Sequence, residues 1–524
     1  MSKQSIQCAS ARALSTGLVL SCLMVTPAFA ADQTWTDANA TGLWGEPTNW
    51  SGTAVPDEAD TALLGPGSPA GFTLDLGGVN RAVEELTFSG STGFTLNNGT
   101  LQLVARRLNA TGSATHTINA PVAFSSQPFS PGLGPAFADI DGSATVHLAG
   151  GIDDAGFFSF TKIGTGTLVL STANAFSTLT FISGGTLQLA HADALQNSTV
   201  QINVDLGLDF ATFGVDANLG GIAGTGDLNL GAQNLTVTRG DYAGSISGTG
   251  SLTRTDGADL RLTGASTYSG GTFIEGGSLR LDNTTGSATG SGVVELMTGA
   301  TIYGTGTIGG HVNAAIQSTT RPGDSGTGVL TYGSVSFDRS AKLDIEIGGR
   351  SVGSRHDQLR ITGDADLDNR AFLLVTLVDD FEPELGDAFQ ILDVGGTQTG
   401  TFGRASLPAL DGGLGWNLQD LGTTGEVRVD LLGDLNTDGF VGAADLDLLL
   451  AHWGRDVFAY DYSAGDASGD GVVGDADLQI VIAQFGNGTP GGTVPEPGSL
   501  AAIGIGLLIV ARRRRGHIAA GMRE

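Results

Sequence analysis

Two stretches of this chain repeat one another without a gap. Lys162-Ile-Gly-Thr-Gly-Thr-Leu168-Val-Leu170, followed by Phe181-Ile-Ser-Gly184-Gly185-Thr-Leu187-Gln-Leu189, aligns with Arg254 through Leu260-Arg-Leu262 and then Phe273-Ile-Glu-Gly276-Gly277-Ser-Leu279-Arg-Leu281. Within each copy the Leu-x-Leu pair recurs after 19 residues, Leu168 to Leu187 and Leu260 to Leu279. A period near twenty, made of short alternating strands and glycine-rich turns, suits the rung of a β-solenoid: inward Leu, Val and Ile stack from rung to rung while glycine takes the corners. Leu101-Gln-Leu103, Leu228-Asn-Leu230 and Leu235-Thr-Val237 read as further strands of this kind. The expected fold class is therefore mainly β, a right-handed β-solenoid over residues 31–320.

Composition agrees. Glycine supplies 83 of 524 residues, charged residues only 15% and apolar residues 40%, which is enough small and branched material for a long, narrow core. The net charge of −29 argues against nucleic acid, because phosphate binding is driven by basic residues. It suits a solvated exterior that attracts divalent cations.

The texture changes past Arg321-Pro322-Gly323. Alternating segments such as Leu343-Asp-Ile345-Glu-Ile347 and Val427-Arg-Val429 make residues 321–430 an all-β module, either a continuation of the solenoid or a separate sandwich. Asp357-Gln358-Leu359-Arg-Ile361, Gly386-Asp-Ala-Phe389 and Gly400-Thr-Phe402 resemble the Asp-Gln-Leu β-module that follows such repeats in exported proteins. The repeats from Lys162 and Arg254 themselves resemble the passenger-associated repeat of autotransporter β-helices. Trp35, Trp44 and Trp50 near the start are candidates for capping the open end of the core or for stacking on sugars, with capping the expected role.

Residues 431–488 form a duplicated unit. Asp434, Asn436, Asp438, Phe440 and Asp445 stand at positions 1, 3, 5, 7 and 12 of one acidic loop; Asp466, Ser468, Asp470, Val472 and Asp477 take the same positions in a second loop 32 residues on. A calcium ion needs six to eight oxygens, and these positions supply them, Phe440 and Val472 through their carbonyls. Gly439 and Gly471 at position 6 allow the sharp turn, and Gly442 and Gly474 at position 9 leave a ligand to water. The expected cofactor is Ca2+ at two sites. Each loop runs into a helix with an apolar stripe, Leu446, Leu449, Leu450 and Trp453 or Leu478, Val481, Ile482 and Phe485. With Asp at position 12 and only a following helix, the segment resembles a type I dockerin. That resemblance implies a cohesin-bearing partner; the alternative is a calcium-stapled terminal module with no partner. Ala443-Ala444 and Asp475-Ala476, at the positions of a dockerin's recognition pair, differ between the copies.

The ends of the chain speak to location. Residues 1–30 carry Lys3 and Arg12, an apolar run from Ala13 to Val25, and small residues Ala28 and Ala30 before a cleavage point, as in a signal peptide. Cys8 and Cys22 both fall inside it, so the exported chain would hold neither disulfide nor thiol. After the linker 489–493, residues 494–517 contain Pro495-Glu496-Pro497, an apolar stretch from Leu500 to Ala511, and Arg512, Arg513, Arg514 and Arg515, with 518–524 as a tail. The stretch is shorter than the roughly 20 residues of an ordinary span. In this order the elements resemble the PEP-CTERM sorting signal. That resemblance implies an exosortase-type processing enzyme and a hydrophobic sorting helix that anchors the chain transiently in the inner membrane. It further implies delivery to the outer surface or an extracellular matrix. Contact with exopolysaccharide is the expectation for a structural or adhesive surface protein of this kind.

No catalytic set emerges. Gly349-Arg-Ser351-Val-Gly353 has the letters of a nucleophile elbow, with His356 nearby, but leads toward another strand where the elbow needs a helix. Gly304-Thr-Gly306-Thr-Ile-Gly309 lacks a βαβ unit and reads as a rung corner, and Gly323-Asp-Ser325-Gly326 as a turn. The seven histidines form no zinc pattern. Asp153-Asp154 and Asp379-Asp380 are acids of the type a glycoside hydrolase or polysaccharide lyase would need, with no motif to select either pair.

Overall fold

The computed structural model describes residues 31–489 except 67–70, 125–133, 154–156, 256 and 459. The signal segment and the sorting segment therefore lie outside the described residues. Among the described residues, no helix is long and apolar enough to cross a membrane.

Nearly all the strands join one sheet system through parallel pairings. One ladder runs without a break through inward positions Ala62, Leu86, Leu108, Ala138, Lys162, Ile182, Ile202, Gly224, Tyr242, Leu262 and Leu281. A second links Leu219, Val237, Arg254, Ile274, Leu296, Ala314, Phe337, Leu367 and Gly400. A third carries His116, Val146, Leu168, Leu187 and Leu208. The chain thus winds as a three-faced solenoid. Along each strand buried and part-exposed residues alternate, as in Thr186–Leu189 and Ser278–Leu281, because successive side chains of a strand point to opposite faces.

Residues beyond 321 continue the same winding. Val329–Phe337 pairs in parallel with both Gln358–Ile361 and Ala365–Leu367, which pair in turn with Leu392–Val394 and Gln398–Gly400. Lys342–Ile347 stacks on Phe372–Leu377 and then Arg404–Ser406. A three-stranded antiparallel sheet, Ala388–Gln390, Glu426–Leu431 and Leu414–Asn417, adds Phe389, Trp416, Val427 and Val429 to the main core.

At the other end Trp35, Trp44 and Trp50 are fully buried and pack edge to face, with ring centroids 5.1 and 4.7 Å apart. The Trp50 indole N–H donates to the Trp44 carbonyl at 2.9 Å. Buried rings present no face to a sugar, so these tryptophans belong to the core. Gly304-Thr-Gly306 is a corner between Thr301–Gly304 and Thr307–Ala314, as expected.

The repeats contain a feature that the reading of strands and glycines missed. Lys162 and Arg254, equivalent by sequence, are both buried on inward positions. The Lys162 ammonium donates to the carbonyls of Ile163, Gly164 and Gly184 at 2.6, 3.0 and 3.1 Å. Arg254 donates to the carbonyls of Thr255, Gly276, Gly257 and Ala258. Each cation ties the corner of its own rung to that of the next. Gly277 has φ +61, and a Cβ there would collide with the Arg254 guanidinium, which accounts for the second of the paired glycines in that copy. Burial pushes Lys162 down to about 8 against the pull of Asp139 and Asp141.

Removing either cation orphans several buried carbonyls, each worth about 1–3 kcal/mol when unsatisfied. Arg254→Ala should lower solenoid stability by about 3 kcal/mol or more in urea unfolding, whereas Gln201→Ala, outward on a rung, should stay within about 0.5 kcal/mol.

Candidate functional site

The duplicated acidic segment folds around two helices, α1 (Ala443–His452) and α2 (Asp475–Gln484), with its own small core. The core is not formed as the helical stripes alone suggest. Leu446, Leu449, Leu478 and Val481 are buried, but Ile482 is exposed, and Leu435, Val441, Tyr462 and Val473 from the loops and linker take up the space. Periodicity could not show this, because the covering residues come from irregular segments.

The two halves are interlocked. The exit of the first loop, at Phe440, bridges Gly488 after α2, and the exit of the second, at Val472, bridges Asp456 after α1. Each half thus pairs with the segment that follows the other's helix.

Both loops are wound around carboxylates. In the first, Asp434 accepts from the N–H groups of Asp438 and Gly439 at 3.1 and 2.8 Å, and Asp445 accepts from Leu435, Asn436 and Gly442 at 2.8, 3.1 and 2.7 Å. Asn436 Oδ1 accepts from the Asp438 N–H, and Asp438 from the Phe440 N–H, both at 2.9 Å. In the second, Asp466 accepts from Gly469, Gly471 and Tyr460 at 2.9, 3.0 and 3.0 Å, and Asp477 from Ser468 and Gly474 at 2.8 and 2.7 Å. Asp470 accepts from the Val472 N–H at 2.8 Å, and the Ser468 hydroxyl donates to Asp466 at 3.2 Å.

The electrostatics are unfavourable without a counter-charge. Asp434, Asp445, Asp466 and Asp477 are buried, and carboxylate oxygens of Asp466, Asp470 and Asp477 lie within 4.8 Å of one another. Burial, with the charge of Asp445 added, pushes Asp434 up to about 6; burial and the charge of Asp477 do the same to Asp466, in both cases against backbone N–H donors. Burial also raises Asp445. Oxygen-only donor sets of this kind fit a hard divalent cation.

The catalytic lookalikes dissolve. Ser351 lies in a turn where its carbonyl accepts from the N–H groups of Arg355 and His356, and no helix follows. His356 is buried, with Nδ1 3.0 Å from the Gly349 carbonyl, and Asp357 accepts from the N–H groups of Gly328 and Glu346 at 2.7 and 2.8 Å. Asp379 and Asp380 both hold positive φ in the turn after Phe372–Leu377, and Asp154 lies outside the described residues. His116 is stacked on Phe88 and Phe94 and pushed down to about 4 by burial.

Comparison with known proteins bears on the two ends of this organisation. Residues 160–189 and 252–281 match the passenger-associated-transport-repeat, and 493–515 match the PEP-CTERM protein-sorting motif, which implies processing by an exosortase-type enzyme. The chain is 32% identical over 154 residues to the adhesin BmaC autotransporter of Brucella suis biovar 1 (strain 1330). That match covers 28% of this chain and 4% of the relative's length. Repeats and sorting motif together mark an exported cell-surface protein.

Asp357 supplies a pH test. Burial pushes it up to about 7, so the folded state holds its proton more tightly than the unfolded chain does. Stability is fullest below the unfolded value near 4 and falls as pH rises through about 7. Thermal unfolding at pH 5 and pH 8 should therefore show a loss at pH 8 that shrinks in Asp357→Ala relative to its own pH 5 value.

Proposed function

We propose that this chain is a structural and adhesive surface protein: a rigid solenoid that projects from the cell, contacts exopolysaccharide, and ends in a calcium-stiffened module. The observation that carries the reading is a solenoid bearing passenger-type repeats in one chain with a sorting motif. On this reading the signal peptide is removed after Ala30, and the segment with Pro495, Glu496, Pro497 and Arg512 to Arg515 anchors the chain until an exosortase-type enzyme cuts it. Protease shaving of intact cells should release fragments of the chain, and deletion of residues 493–515 should leave it inside the outer membrane. Shaving that releases nothing from the wild type would count against surface display.

In this reading Ca2+ is held by Asp434, Asn436, Asp438, Asp445 and the Phe440 carbonyl in one loop, and by Asp466, Ser468, Asp470, Asp477 and the Val472 carbonyl in the other. The support is the set of buried carboxylates raised by burial and by one another. The ion supplies the positive charge these acids lack. Because each loop is bridged to the segment after the other helix, one ion should steady both halves. At a hundredfold excess over Kd, calcium adds about 2.7 kcal/mol to the state it binds. Hydrogen exchange of α1 and α2 in the full-length chain should slow in calcium and quicken in chelator, and Asp445→Ala together with Asp477→Ala in one chain should remove the difference. Identical exchange with and without chelator would rule out the assignment.

A second reading makes the module a docking element for a cohesin-like protein. It is favoured by Ala443-Ala444 and Asp475-Ala476, which lie exposed at the start of α1 and α2. Calcium-dependent capture by a cohesin domain, lost on Ala444→Arg, would support it.

A further inference from the structure

One outer face of the solenoid differs in chemistry from its neighbour. On the second ladder the outward residues, each flanked by buried ones, are Thr236, Thr253, Phe273, Glu295, Asn313 and Ser336, continuing to Asp366 and Thr399. Two clefts open along this line. One, of ≈ 610 Å³, is lined by Thr236, Thr253, Phe273 and their neighbours; the other, of ≈ 490 Å³, by Glu295, Asn313, Ser336 and Asp366 among others. Neither lining contains a lysine or arginine. A row of arginines lies instead on the first face, where the outward ladder reads Asp241, Arg261, Arg280, Tyr303, Arg321.

We propose that this face, whose clefts no arginine lines, is a binding groove for a linear, uncharged polysaccharide lying along the solenoid axis. The assignment rests on the surface reading above and names where and what the chain would bind. Rungs repeat every ~4.8 Å, close to the length of one pyranose unit, so successive sugars meet successive rungs. Hydroxyl and amide side chains donate to and accept from sugar hydroxyls, and Phe273, part-exposed in the groove, offers an apolar face to a ring. The carboxylates already serve inside the protein: Glu295 accepts from Asn313 at 2.8 Å, Asp366 from Thr399 at 2.7 Å, and Asp368 pairs with Arg370 at 3.0 Å. They act as acceptors, and the six carboxylates that line the two clefts outnumber the arginines near them, Arg370 and Arg339 beside Asp368, so the groove repels uronates, sulfated chains and nucleic acid.

The test is affinity electrophoresis of the purified full-length chain in gels holding hydroxyethylcellulose, galactomannan or alginate. Retardation by a neutral polymer and none by alginate is expected. Phe273→Ala should weaken retardation about three- to tenfold, and Thr253→Arg, which plants a long side chain in the groove and leaves the core intact, should abolish it. Arg261→Ala on the other face should change nothing, and thermal melts of all three variants check that they fold. No retardation by either neutral polymer, equal retardation by alginate, or insensitivity to Thr253→Arg would each overturn the proposal. Protease shaving keeps the two readings apart. A chain displayed on the cell yet unretarded overturns the groove alone, and a chain retarded in gels but absent from the surface overturns the surface reading alone.

Discussion

Everything in this molecule depends on inward side chains stacking on their own equivalents one turn further along. A parallel ladder satisfies each strand's backbone only if the next turn returns a strand in the same inward phase, whatever the length of its corners, since a slip of one residue would send the apolar set to solvent. Leu168, Leu187 and Leu208 meet this condition on one face, and Tyr242, Leu262 and Leu281 on another. Such a core cannot be closed by its own rungs. The buried tryptophans at one end and the antiparallel sheet around Phe389 and Trp416 at the other supply what the last turns lack.

Corners are the second constraint, because a turn of the solenoid leaves carbonyls pointing into a space with no water. Lys162 and Arg254 answer it with buried positive charge, held by three or more carbonyls from two successive turns. The same logic appears inverted in the terminal module. There Asp445 and Asp477 are buried negative charges that gather backbone N–H groups.

Much of this was legible in the residues. The Leu-x-Leu spacing identified strands and rungs because inward phase has a fixed period, and the acidic loops marked the carboxylates that the fold buries. Other features were not legible, for physical reasons. The repeats from Lys162 and Arg254 lie on different faces, since the interval between them is not a whole number of turns. Whether residues past 321 continued the winding depended on pairing across longer excursions, Val335 to Ala365 and then Gln398, which periodicity does not reach. The buried cations could have been suspected from a charged residue opening each repeat beside paired glycines. The interlocking of the acidic loops could not, because bridges such as Phe440 to Gly488 join segments that carry no pattern.

The central claim is one continuous parallel ladder, and engineered cysteines test it most directly, because the chain's own Cys8 and Cys22 lie in the signal segment. Thr236 and Thr253 are register partners within the repeats, and Ser336 and Asp366 are partners beyond them. Neighbouring strands are ~4.8 Å apart, within the Cα separation of about 4.4–6.8 Å that a disulfide spans. Mild oxidation should close both pairs, Thr236→Cys with Thr253→Cys and Ser336→Cys with Asp366→Cys. It should fail when Asp366→Cys is replaced by Leu367→Cys, which points into the core. Closure of the first pair without the second would break the solenoid between residues 336 and 366 and contradict the account.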